Sequence, residues 1–230
     1  MKQKICIVIP IYNESKHILA VVKDIKKYTN ANILFVDDGS KDNSSSILKN
    51  IKTKNVYYLL LTNNHGKGFA LRFGCDFAIQ TFKSDTIICM DGDLQHRGKD
   101  IPRLLEALKN KNIVFGYRKF NHDMPFVKRF GNRLISFLTY ILYDIKLRDT
   151  QSGLKAFKTN IYPRIRWVSE RYSLESEIIA KVSKEKLRYK EIPINTIYLE
   201  PNKGTKISDG FKIIKNLLRW KICKNLGNII

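Results

Sequence analysis

The chain has 230 residues, enough for one sizeable α/β domain. An apolar fraction of 43% and an aromatic fraction of 11% exclude a disordered chain. Its 42 Lys and Arg against 21 Asp and Glu leave a net charge of +21, which calls for a polyanionic partner: nucleic acid, an anionic membrane surface or phosphorylated ligands.

From the start, "KICIVIP" is a short apolar run of the kind found in a strand buried on both faces. Residues 14–28 place Ile18, Val21, Val22 and Ile25 at helical spacing. "ANILFVDDGS" is a second strand ending in carboxylates, Asp42–Ile51 a helix, and "NVYYLLL" a third strand. "GKGFALRFGCDFAIQTF" is a helix entered through glycines, "DTIICM" a fourth strand, residues 100–109 a helix and "NIVFGYR" a fifth strand. Such alternation predicts a mostly parallel sheet covered on both faces, with ligands outside the carboxyl ends of its strands. Those ends are Pro10–Glu14, Asp37–Ser40, Asn63–Gly68, Asp91–Gln95 and Gly116–Arg118.

From Met124 the pattern becomes apolar and basic together. "TQSGLKAF" reads as a strand, residues 173–183 as a helix, "RYKEIPINTIYLE" as one or two strands, and Lys206–Lys224 as a helix. Residues 1–115 hold 18 basic and 11 acidic residues and residues 116–230 hold 24 and 10, so the anionic surface is expected against the second half. The division expected is a main domain over 1–200, with a donor half 1–118 and an acceptor half 119–200, followed by a basic amphipathic extension 201–230. "MKQKICIVIPIYNES" lacks a small-residue cleavage site and is read as the first strand, not a leader. No stretch reaches the roughly 18 apolar residues of a membrane span. Cys6, Cys75, Cys89 and Cys223 form no CxxC pair and read as free thiols of a reducing compartment, and the scattered histidines argue against zinc.

The chemistry is carried by "IICMDGDLQH". In an extended chain residues i and i+2 point the same way, so Asp91 and Asp93 can aim at one point past the strand end, with Gly92 leaving room for a ligand. Carboxylate and amide oxygens suit Mg²⁺ or Mn²⁺. Taken alone, an Asp-x-Asp is as readily a turn at a strand end. Asp37 and Asp38 can make a turn or accept from ribose and base N–H groups. Tyr12 can offer a ring to a base, while Glu14 is also a good first-turn helix acid. "HGKGFALRFG" lacks the spacing and the Ser or Thr of a Walker loop. Lys67 and Arg72 are left as partners of phosphate or carboxylate, or as solvated side chains.

Taken in order, "IPIYNE", "VDDGS", "GKGFALRFG", "DGDLQH", "DTQSGLKAF" and "EIPINTIYLEPNKGTKISD" resemble a family 2 glycosyltransferase, near the dolichyl-phosphate mannose synthase-like enzymes and the bacterial polyprenyl-phosphate glycosyltransferases. The resemblance implies a GT-A fold: a mostly parallel, Rossmann-like sheet with helices on both faces. It implies a nucleotide-diphosphate-sugar donor of the GDP-mannose or UDP-glucose type, and a divalent metal held by Asp91, Asp93 and Gln95. Pro10, Tyr12, Glu14, Val36 and Asp38 would contact the nucleoside, with Asp37 beside them. Lys67, Met90, Gly92 and Arg118 complete the donor set. Two departures stand out: Tyr117 replaces the Ser of the usual "GSR", and "NKGTKISD" lies between two forms known among relatives, leaving Thr205 and Lys206 for the phosphate.

A phosphate acceptor needs no general base, because its second pKa lies at about 6. It does need cations that hold two anionic groups together, for which Arg118, Arg133 (or Arg129) and Lys206 are the candidates. A hydroxyl acceptor would need a base, and Asp149 or Glu175 would serve. A lipid acceptor requires membrane docking, expected through residues 124–146 and 206–224, with Phe211, Ile214, Leu217, Leu218 and Ile222 able to share a helix face. The expected location is therefore cytoplasmic and peripheral, on the inner membrane face. A separate membrane subunit is the alternative means of docking. Nucleic-acid binding is disfavoured, since three carboxylate motifs on one sheet edge would repel phosphodiesters.

Overall fold

A computed structural model describes residues 3–118, 126–171, 173–194 and 207–222. The first half alternates: β1 (Ile5–Ile11), α1 (Ile18–Lys26), β2 (Asn32–Asp37), α2 (Ser44–Asn50), β3 (Val56–Leu60), α3 (Lys67–Gln80), β4 (Thr86–Cys89), α4 (Ile101–Leu108) and β5 (Ile113–Arg118). There follow α5 (Phe126–Tyr143), β6 (Lys155–Lys158), α6 (Tyr162–Ile165), α7 (Leu174–Lys184), β7 (Tyr189–Ile194) and α8 (Ile207–Ile222). The strand expected over "TQSGLKAF" begins only at Lys155, because residues 149–153 form a loop against the ends of β4 and β5.

Among the described residues the strands form one sheet in the order β3-β2-β1-β4-β6-β5-β7. β1 runs parallel to β2 and β4, β2 to β3, and β5 to β7. β6 is antiparallel to both β4 and β5. The chain builds outward from β1 to β3, then returns to place β4 on the other side of β1. That reversal is the crevice where ligands of α/β sheets collect.

Side-chain alternation explains why β1 and β2 read as unbroken apolar runs. Ile7, Ile9, Ile33 and Phe35 pack with Val21, Ile25, Leu48 and Leu104 of α1, α2 and α4. Cys6, Val8, Leu34 and Val36 pack with Leu71, Cys75, Ile178 and Leu217 of α3, α7 and α8. Each such buried aliphatic contributes about 1.5–3 kcal/mol over leaving it exposed. α3 presses so closely on the sheet that a Cβ at Gly74 would lie 2.5 Å from Val8 Cγ1.

α8 belongs to this core. Ile213, Leu217 and Trp220 are buried, and the Tyr143 hydroxyl of α5 donates to the Leu217 carbonyl at 2.7 Å. The tail residues expected on one face therefore divide: Leu217 turns inward, while Phe211, Leu218 and Ile222 stay exposed. The boundary expected at residue 200 lies outside the described residues. Cys6, Cys75 and Cys89 are free and buried. Among the described residues no helix is long and apolar enough to cross a membrane.

Candidate active site

The carboxyl ends of β1, β2, β4 and β5 meet at one edge. Here Asp91 follows β4, and its Oδ1 lies 2.8 Å from Lys67 Nζ, at the first residue of α3. Lys67 also reaches Glu175 Oε1 of α7 at 3.2 Å. Glu175 in turn lies 3.7 Å from the ammonium of Lys155, a lysine 1% exposed on β6 that donates to the Gly153 carbonyl. Positive and negative charges thus alternate along Lys155, Glu175, Lys67 and Asp91. Burial opposes the charge on Asp91, but the Lys67 ammonium outweighs it and holds the carboxyl far below its usual range. Lys67 is treated alike: burial works against its charge, and Asp91 and Glu175 together raise it well above an ordinary lysine.

Asp93 differs. Burial, and then the charge of Asp91, push it up to about 6. Its two oxygens accept from the Gln95 amide, at 3.1 Å from the backbone N–H and 2.8 Å from Nε2, so Gln95 braces the second carboxylate. Leu94 between them takes a left-handed φ of 61°, which turns the loop sharply. His96 is buried and accepts the Asp91 N–H on Nδ1 at 3.1 Å. Burial lowers it to about 4, so the ring is neutral at pH 7 and its 3.8 Å approach to Asp91 is not an ion pair. Asp24 of α1, sequestered at helical spacing among apolar residues, clamps the far end of this loop by accepting from Gly98 N at 2.6 Å and from Arg97. Nothing in the local pattern separates Asp24 from a solvated helix acid.

Gly92 is required by packing. A Cβ there would fall 2.6 Å from Ile11 Cγ2, so the space it leaves is filled by β1. Met90 and Val36 are buried in the sheet, and Pro10 is half-buried. Both Asp37 and Asp38 accept from the protein's own donors. Asp37 accepts from Ser40 N and the Ser45 hydroxyl, and Asp38 from His65 N at 2.8 Å and Gly66 N at 2.7 Å. Glu14 is nearly buried and pairs with His17 Nδ1 at 2.8 Å, while Tyr12 remains exposed at the rim. The glycines flanking Lys67 at the start of α3 admit the chain's own loop. Gly68 N and Phe69 N donate to the Glu170 carbonyl, and a Cβ at Gly68 would lie 2.2 Å from the Ser169 carbonyl oxygen. Arg72 donates to the Trp167 and Val168 carbonyls.

Arg118, at the end of β5, engages buried Asp149: its Nε and Nη2 donate at 2.7 and 3.0 Å and its backbone N–H at 3.2 Å. Asn132 of α5 donates to the same carboxylate at 2.8 Å. Burial opposes the charge on Asp149, but Arg118 wins and lowers its pKa. Tyr117 is matched by Arg148, which donates to its hydroxyl at 2.8 Å and stacks over its ring. Arg133 is exposed on α5, beside inward-facing Asn132. Lys206 and Thr205 lie outside the described residues, as does the side chain of Arg129. The structure therefore gathers Asp91, Asp93, Gln95, Lys67 and Glu175, and adds Lys155, which no sequence signal distinguishes from an ordinary strand lysine.

The family sequence profile described as "Glycosyl transferase family 2" matches residues 6–166. The chain is a family 2 glycosyltransferase. It is 34% identical over 248 residues to the UDP-N-acetylglucosamine–dolichyl-phosphate N-acetylglucosaminyltransferase of Methanococcus voltae, covering 96% of this chain and 98% of that protein. It is 26% identical over 175 residues to the undecaprenyl-phosphate 4-deoxy-4-formamido-L-arabinose transferase of Aeromonas hydrophila, covering 73% of this chain and 52% of that one. Glucosyl-3-phosphoglycerate synthase of Mycobacterium tuberculosis, solved with Mn²⁺, UDP-glucose and phosphoglyceric acid, superposes with a TM-score of 0.72 at 16% identity, over 98% of this chain and 82% of that one. The glycosyltransferase has the GT-A fold.

Proposed function

We propose that this glycosyltransferase moves a sugar from a nucleotide-diphosphate donor to the phosphate of a polyprenyl lipid, with inversion at the anomeric carbon. The observation that carries the lipid acceptor is the double role of α5. Asn132 points into the site and holds Asp149, which holds Arg118. On the outer side of the same helix Phe130, Phe137 and Ile141 are each about 60% exposed, at 61%, 59% and 59%. α8 adds exposed Phe211, Leu218 and Ile222 together with Lys212, Lys215, Arg219 and Lys221. An apolar stripe beside basic residues suits the interface of an anionic bilayer. The names of the Methanococcus voltae and Aeromonas hydrophila relatives support the same acceptor class, and the first favours a UDP-sugar over GDP-mannose.

The residues present fit a hard divalent cation. Asp91 and Asp93 offer carboxylate oxygen at one strand end, and Asp93 is pushed up to about 6 by burial beside a second carboxylate, a strain that a cation would relieve. The described residues hold no cluster of three His, Cys, Asp or Glu in metal-binding arrangement, so further oxygen would come from the Gln95 amide, water and the donor phosphates. When bound, the cation supplies Lewis-acid neutralisation of the departing diphosphate.

The acceptor phosphate oxygen forms the new bond to the anomeric carbon as the bond to the diphosphate oxygen breaks, and the nucleoside diphosphate leaves with the electron pair. No proton need move. Arg118 orients the acceptor phosphate, with its guanidinium held in plane by Asp149, and Tyr12 lies at the nucleoside end. A hydroxyl acceptor is less well served, because Asp149 is engaged by Arg118 and Glu175 by two lysines. Incubation of the full chain with labelled UDP-N-acetylglucosamine, UDP-glucose or GDP-mannose, Mn²⁺ and a polyprenyl phosphate should yield chloroform-soluble label. Label only on an added glycan, with none on lipid, would refute the acceptor assignment.

A further inference from the structure

Lys67 stands where a cation is least expected. It is the first residue of α3, where the helix dipole disfavours positive charge. Its main chain is pinned on both sides, by Gly66 N on Asp38 and by Gly68 N on the Glu170 carbonyl, so only the side chain has freedom. That side chain lies between two carboxylates, 2.8 Å from Asp91 Oδ1 and 3.2 Å from Glu175 Oε1. Glu175 is fixed in turn by buried Lys155. Asp91 is thus already paired with an ammonium through Oδ1. An ammonium and a dication cannot share that oxygen at contact distance in a site only about a quarter exposed without strong repulsion.

We propose that Lys67 is a tethered stand-in for the divalent cation: it occupies Asp91 in the metal-free enzyme and shifts onto Glu175 as the ion enters. The inference rests on the metal reading above. Its use is to hold Asp91 oriented before loading, at the expense of metal affinity. Glu175 is then a positioning residue that receives the displaced ammonium, not a general base.

The competition has a signature that a simple sum of charges lacks. Mn²⁺ binding is measured by the loss of the free-ion EPR signal, on the full chain without donor, with circular-dichroism melts as a fold control. Lys67→Met should tighten Mn²⁺ about tenfold, because the competing ammonium is gone, and Glu175→Gln should weaken it about threefold, because the displaced ammonium loses its acceptor. In the Lys67→Met background, Glu175→Gln should change the affinity by less than about twofold, because Glu175 acts only through Lys67. Lys67→Gln is used if Lys67→Met melts early. Unchanged or weaker binding in the Lys67 variants overturns the proposal, as does an equal effect of Glu175→Gln in both backgrounds. Wild-type binding that is lost in Asp93→Ala but indifferent to Lys67 leaves the metal reading standing and sinks this inference alone. No saturable Mn²⁺ binding in either wild type or Lys67→Met overturns both.

Discussion

Gly153 lies directly against Asp91: a Cβ on residue 153 would fall 2.3 Å from Asp91 Oδ2 and 2.6 Å from Oδ1. The loop before β6 therefore walls the carboxylate that ends β4. Gly153→Ala should push Asp91 off Lys67 and misplace it. A displacement on the order of 1 Å at a reacting centre costs about a hundredfold in rate. The loss should appear in sugar transfer with the melting temperature little changed, because the clash is relieved by a side chain at the ligand edge. Transfer at the wild-type rate would show that Asp91 does not need its present position.

Asp91→Ala and Asp93→Ala should each abolish transfer and leave a folded protein. Both side chains lie at the ligand edge, and neither belongs to the apolar core. Donor turnover in metal-replete buffer is the measurement, and wild-type turnover by either variant would remove that residue from the site.

Asp149→Ala should cost folding stability as well as activity. Removing one member of a buried ion pair costs about 3–5 kcal/mol, here with Asn132 and the Gln151 N–H also losing their acceptor. Arg118→Ala strands the fully buried Asp149 carboxylate, so it should also cost stability, and it should lower kcat/KM beyond what that loss explains. Urea titrations beside kinetic assays separate the two outcomes. Equal stability of wild type and Asp149→Ala would contradict the buried-pair account.

The same pair predicts an acid limit. The folded-state pKa of Asp149 is lowered, with burial opposing and Arg118 prevailing. Its stabilising contribution is therefore fully present above the unfolded carboxyl value of about 3.9 and is lost as pH falls through the lower folded value. Asp149→Asn should lessen the decline in stability as pH falls below about 4. Stability profiles of wild type and variant that stay parallel through that range would assign the acid sensitivity to other carboxylates.

Membrane docking through α5 and α8 should have both a charged and an apolar part. Co-sedimentation with anionic liposomes should weaken with salt but not vanish, because only the charged part is screened. Phe137→Glu or Ile141→Glu should release the protein at moderate salt, since each removes an exposed apolar contact and adds repulsion. Retention of both variants on the liposomes would place the docking surface elsewhere. Intact protein left in the supernatant at low salt would point to a separate membrane subunit.

The alternation of strands and helices through Arg118 was legible in the chain, because a parallel strand buried on both faces must be apolar at every position and a covering helix at every third or fourth. Ile7 and Cys6 face opposite cores, yet both have to be apolar. The carboxylate-bearing edge of the sheet was legible for a related reason: carboxylates at the ends of such strands have no place in either core. The roles of individual groups were not, since they depend on contacts between residues far apart in sequence. Gly68 admits Glu170, Gly92 admits Ile11, Lys67 meets Glu175, and Asn132 of an outwardly apolar helix reaches Asp149. Local periodicity records which face of an element is buried, whereas the identity of what it is buried against is set only when the sheet order brings β4, β5 and the loop before β6 together.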